Sequence, residues 1–177
     1  MNTAVVLVLE GEAPDLAGAR AELDPESARK LPLHLTLLYP FVPRVELDDA
    51  ALAALHRFFE GRLPPEFALT RVDLLAGTWV YAVPEPADSL ELLLEALWAR
   101  YPQLPPYAGE IADPVPHATL ARVDPAEADA TLRRIDARVA PLLPVACAPR
   151  AASLLEELTD GTWRELASLP FAGPAAA

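Results

Sequence analysis

Cysteine is almost missing from this 177-residue chain. The lone Cys147 excludes an internal disulfide and fits a reducing compartment. Long hydrophobic runs are missing as well. The apolar run Ala4 to Leu9 is too short for a signal-peptide core or a membrane span, and no basic region precedes it. A cytoplasmic protein without membrane association is therefore expected. Positive charge is scarce: 14 Lys and Arg stand against 26 Asp and Glu, for a net charge of -12 and a pI near 4.6. That balance argues against binding extended nucleic acid through a basic stripe, but it leaves room for a small phosphate ligand held by a few local groups. There is no Gly-rich phosphate loop, no Gly-x-Ser-x-Gly elbow, no His-Glu-x-x-His and no cysteine cluster, so neither a metal nor a cofactor is expected.

What is present is a core. With 53% hydrophobic residues the chain suffices for one domain, residues 1–172, followed by a flexible tail, 173–177. The twenty prolines are scattered between periodic segments and read as punctuation. Ala4 to Leu9 has the continuous aliphatic character of a strand buried on both faces. A helix start at Asp24-Pro25-Glu26 follows, then a strand within Leu31 to Phe41 that Pro40 and Pro43 end. Asp48 opens a helix to Gly61 with the stripe Leu52, Leu55, Phe58, Phe59. Phe67 to Leu75 and Thr78 to Val83 form a hairpin over Ala76-Gly77, and Ser89 caps a helix to Tyr101. After the proline-rich stretch Pro102 to Pro116 comes a strand within Val115 to Val123. Asp124-Pro125-Ala126-Glu127 then starts a helix to about Ala140. Pro144 to Leu158 reads as a strand, and Asp160-Gly161 turns it into a return strand over Thr162 to Leu169.

Two tetrads stand out: His34-Leu35-Thr36-Leu37 and His117-Ala118-Thr119-Leu120. In a strand, residues two apart share a face, so each tetrad aims an imidazole and a hydroxyl one way and apolar side chains the other. An imidazole gives or takes a proton near neutral pH, and a threonine hydroxyl donates to an anionic oxygen. Two such pairs facing one cleft supply an acid, a base and two phosphate holders. The surroundings repeat too. Each half carries the tetrad strand, a helix and a hairpin whose return begins Gly-Thr-Trp, and the interval His34 to Gly77 nearly equals His117 to Gly161. This predicts a duplicated unit. An approximate two-fold would set equivalent strands side by side and turn the tetrads toward one groove. Trp79 and Trp163 are expected in the lobe cores, and His56 is expected to be a helix residue with no chemical duty.

With both tetrads, the flanking Leu38-Tyr39-Pro40-Phe41, Pro116 before the second tetrad and Arg122 five residues past His117, the chain resembles the two-histidine (2H) phosphoesterase superfamily, in its 2′-5′ RNA ligase-like branch. The resemblance implies a bilobal, pseudo-two-fold α+β fold, with antiparallel sheets lining a central groove and helices outside. It implies metal-independent chemistry on 2′,3′-cyclic phosphates or 2′-5′ linkages, with His34 and His117 as general acid and base and Thr36 and Thr119 on the phosphate oxygens. It also suggests that Arg122 contacts phosphate; strand parity turns Arg122 away from the groove unless a bulge re-aims it. Tyr39, Phe41 and Tyr107 are candidate groove contacts, with packing beside the strand as the other reading of Tyr39 and Phe41. The expected substrate is a small nucleotide or an RNA-terminus phosphodiester, acted on by a monomer and yielding a 2′-phosphate. His117 is assigned to activate water and His34 to protonate the leaving oxygen, while the near-symmetry of the two halves leaves the opposite assignment open and the reverse reaction exchanges the roles. Ligation of RNA ends by 2′-5′ linkage and a non-catalytic nucleotide-binding module are the alternatives.

Overall fold

The computed structural model describes residues 1–173; the rest of the expected tail lies outside the described residues. The chain runs β1 (Thr3–Val8), α1 (Pro14–Leu23), α2 (Pro25–Lys30), β2 (His34–Leu38), α3 (Asp49–Glu60), β3 (Phe67–Leu75), β4 (Trp79–Glu85), α4 (Asp88–Arg100), β5 (Ala118–Arg122), α5 (Ala128–Val139), β6 (Val145–Cys147), β7 (Ala151–Glu157) and β8 (Trp163–Pro170). All strand pairings are antiparallel, in one sheet of order β6-β3-β4-β5-β2-β1-β7-β8. The fold is α+β. The two tetrad strands meet at its centre, where Leu35 registers against Ala118.

Side-chain alternation explains which face is covered. Leu35, Leu37, Ala118 and Leu120 are fully or almost fully buried and join one core with Leu55, Phe59, Leu90, Leu97, Ile135 and Val139 from α3, α4 and α5. His34, Thr36 and Thr119 point to the other, partly open face. Two helix starts carry a side-chain cap. The Asp48 carboxylate accepts from Ala51 N–H at 2.7 Å to cap α3, and Asp24 accepts from Ser27 N–H at 3.1 Å to cap α2. Replacing Asp48 by Ala is expected to cost about 1 kcal/mol, read as a lower urea midpoint with an unchanged slope.

Both tetrad strands carry a bulge at the same place. Val5 registers with Leu38 and Val6 with Thr36, so Leu37 is the extra residue; Val80 registers with Ala121 and Tyr81 with Thr119, so Leu120 is. The carbonyl of Leu37 accepts from Trp98 Nε1 of α4 at 2.9 Å, which satisfies a group the bulge removes from the ladder.

Several sequence expectations are corrected. Ser89 does not cap α4: its hydroxyl donates to the Glu66 carbonyl at 3.2 Å, and Ala87 holds the cap position without a side-chain bond. Asp124 caps a 3-10 turn over Pro125–Glu127, and the α-helix begins only at Ala128. Pro144 to Leu158 is two strands, not one. The chain breaks at Ala148-Pro149-Arg150, sending β6 to the edge beside β3 while β7 joins β1. The repeated hairpins are also not spatially equivalent, since β4 lies beside β5 whereas β8 is the opposite edge strand.

Candidate active site

The two imidazoles are held in the same way. His34 Nδ1 lies 2.8 Å from the Pro32 carbonyl and His117 Nδ1 lies 2.7 Å from the Val115 carbonyl, two residues back in each case. A carbonyl only accepts, so each Nδ1 carries the proton and each neutral ring keeps Nε2 as its basic atom. The repeat places His34 at the first position of β2 and His117 immediately before β5. Both line a single cavity of about 470 Å³, together with Thr36 and Thr119.

The bulges decide the rest of the floor. Because Leu120 is extra, Arg122 returns to the face of Thr119, directly across from Trp79, and its guanidinium sits 5.4 Å from the Trp79 ring centre. A bulge thus turns Arg122 to the Thr119 face, yet it does not line the cavity of the two imidazoles; it lies beyond Trp79, in a separate cavity with Asp24, Ser27 and Thr78. Tyr39 holds the matching place after the Leu37 bulge. It packs edge-on against Trp163 at 6.0 Å, in a smaller pocket lined also by Ala4, Val6, Leu31, His34 and Thr36. Phe41 is a correction. It is 2% exposed and packs edge-on against Tyr101 in the core, so it touches no ligand in the groove.

Tyr107 ties the second tetrad to the first. Its ring stacks on His117 (6.4 Å, 23°), it lines the cavity beside Thr36, and its N–H donates to the Tyr39 carbonyl at 2.5 Å. It achieves this with φ +53°, followed by Ala108 at +55° and Gly109 at +79°. A bulky residue in the left-handed region is strained, and surrounding contacts must hold it there. Tyr81 closes the other side of His117, edge-on at 5.9 Å.

Both histidines are shifted toward the neutral form. Burial, reinforced by the nearby Arg20 cation and by His117, lowers His34 to about 4, against the opposing pull of the Pro32 carbonyl. Burial also lowers His117, opposed by Val115. A histidine lowered on folding binds fewer protons than it does in the unfolded chain. Stability is therefore full above pH 6.5 and is lost as pH falls toward 4. The His34 contribution is expected to be about 2–3 kcal/mol at pH 4.5. Urea unfolding of the wild type and of His34→Gln at pH 7 and 4.5 checks this, and the variant is expected to lose less.

Residues 9–161 match the family model for the 2′-5′ RNA ligase superfamily. The chain belongs to that superfamily. No functionally curated protein matches it significantly. Among solved structures, TT0787 of Thermus thermophilus is similar with a TM-score of 0.60 and 23% identity over 98% of this chain and 99% of that one, a likeness of fold. Membership in this 2H superfamily supports a phosphoesterase- or ligase-like activity.

Several cavity residues of this superfamily member were not legible as such. Trp79 is 39% exposed and Trp163 belongs to a small satellite cluster; both line the cavity, which corrects their expected place in lobe cores. The Gly-Thr-Trp repeat therefore marks hairpin tips that reach the cavity from opposite halves of the sheet. Arg20, Ser27 and Lys30 line it from α1 and α2, and Ile111 from the proline-rich loop. Among the described residues, no helix is long and apolar enough to cross a membrane.

Proposed function

We propose that the protein is a metal-independent phosphodiesterase acting on 2′,3′-cyclic phosphates or 2′-5′ linked nucleotides of small size. The observation that carries this reading is the convergence of two identically anchored imidazoles and two threonine hydroxyls on one cavity. A cavity of about 470 Å³ suits a mononucleotide, being within the usual range for small-molecule sites. Its aromatic walls, Trp79, Tyr107 and Trp163, suit a base or ribose face.

For a 2′,3′-cyclic phosphate, a water oxygen bonds to phosphorus while the bond from phosphorus to O3′ breaks. One imidazole Nε2 takes the proton from the water, the other gives a proton to O3′, and a 2′-phosphate is left. Thr36 and Thr119 donate to the non-bridging oxygens. His34 is the more deeply shifted toward neutrality and has Arg20 beside it. Its neighbour His117 gains its proton more readily once an anion enters. This supports His34 as base and His117 as acid, the reverse of the assignment made from the sequence.

The test is turnover of 2′,3′-cyclic AMP with product identification, in buffer with and without a chelator. The reading expects 2′-AMP at equal rates in both. Binding without product favours a non-catalytic module. Joining of RNA ends, with a steep salt dependence, favours the ligase alternative.

A further inference from the structure

Arg20 is a buried cation whose role the two-histidine chemistry leaves unexplained. It sits on α1, is 4% exposed and lines the cavity that holds His34. Its Nη1 donates to the Leu31 carbonyl at 2.7 Å, while its Nε is buried without a hydrogen-bond partner. Asp24 and Glu10 act on it only through space, and among the described residues no carboxylate forms an ion pair with it.

A guanidinium taken out of water and met by one neutral carbonyl is heavily penalised unless an anion completes its shell. It has five N–H donors in a planar fork that matches the oxygens of a phosphate. The bond to Leu31 also fixes the chain just ahead of Pro32, whose carbonyl sets the His34 tautomer. The second half offers no counterpart, because the stretch leading to His117 is the loop that carries Tyr107 and Ile111. Arg20 thus makes the two halves of the groove chemically unequal.

We infer that Arg20 is a substrate-binding residue, whose free donors take a non-bridging phosphate oxygen on the His34 side of the cavity. The identity of the phosphate as that of a nucleotide diester rests on the function proposed above, whereas the binding of a phosphate does not. Arg20 lines the same cavity as both imidazoles, so the phosphate it takes is the one they would flank.

The experiment compares wild type, Arg20→Met and Arg20→Lys for binding of inorganic phosphate and 2′-AMP by calorimetry, and for urea unfolding in phosphate-free buffer. Phosphate is expected to stabilise the wild type. Arg20→Met is expected to unfold at the same or higher urea concentration without ligand, since an apolar chain replaces an unpaired charge. It is also expected to lose at least about 10-fold in 2′-AMP affinity, with Arg20→Lys in between. A wild type that does not bind phosphate, or an Arg20→Met or Arg20→Lys variant with wild-type affinity per folded molecule, overturns the inference. So does an Arg20→Met variant that is less stable while Arg20→Lys binds normally, because Arg20 is then only a strut for Leu31. Failure of the wild type to cleave 2′,3′-cyclic AMP while these binding results hold refutes the hydrolase reading alone.

Discussion

Turnover of 2′,3′-cyclic AMP is expected to fall about 10²–10⁴-fold on replacing either His34 or His117 by asparagine. Asparagine keeps a polar side chain of modest size but cannot exchange a proton near neutral pH, so its loss measures the proton transfer. Both positions are half-buried on the open face of the sheet, and their backbone neighbours Leu35 and Ala118 hold the core. The variants are therefore expected to fold. The double variant is expected to lose less than the product of the single losses, because removing either member of an acid–base pair already disables the other. The rate profile of the wild type is expected to be bell-shaped. Its acid limb reports the imidazole that must be neutral and its alkaline limb the one that must be protonated. Since burial lowers both rings, the profile of the free enzyme is expected to be centred below the 6.5 typical of exposed histidine.

Replacing Thr36 and Thr119 together by valine is expected to lower kcat/KM by roughly 10²–10⁴-fold. Each hydroxyl that donates to a charged oxygen is worth about 1.5–3 kcal/mol, and valine keeps the β-branched shape while removing the donor. The single variants are expected to differ. Thr36 lines the cavity beside Tyr107, so Thr36→Val alters the surroundings of the ring that stacks on His117 as well as the phosphate contact. Thr119 is expected to give the cleaner loss of binding. Steady-state kinetics of the two single variants and the double variant, beside circular dichroism to verify the fold, check both statements.

The parts of this fold that were legible in the sequence are those with a local cause. The Asp48 to Gly61 helix follows from a capping carboxylate and an apolar stripe, and the Ala76-Gly77 turn from two residues at φ +51° and +68°. The tetrad strands alternate as period two requires, and β2 lies beside β5 as a duplicated unit predicts. What was hidden depends on partners far along the chain. Nothing local in Pro144 to Leu158 tells that β6 joins β3 and β7 joins β1, across most of the sheet. Trp79 and Trp163 have the composition of core residues; only the hairpins' reach over the cavity makes them its walls. Arg20 was invisible because an arginine in a polar helix reads as surface, and only the packing around α1 buries it. Arg122 needed knowledge of a bulge that strand parity alone does not reveal, although the same bulge after both tetrads makes it a property of the repeated motif.

The proposed chemistry requires two imidazoles to serve one phosphate. The most direct measurement is an NMR titration of ¹⁵N-histidine-labelled protein with 2′-AMP, following the Nε2 resonances of His34 and His117. The predicted result is that both move along one isotherm with a single equivalent of nucleotide, and that both pKa values rise in the complex. Response of only one ring, or two unrelated isotherms, contradicts it.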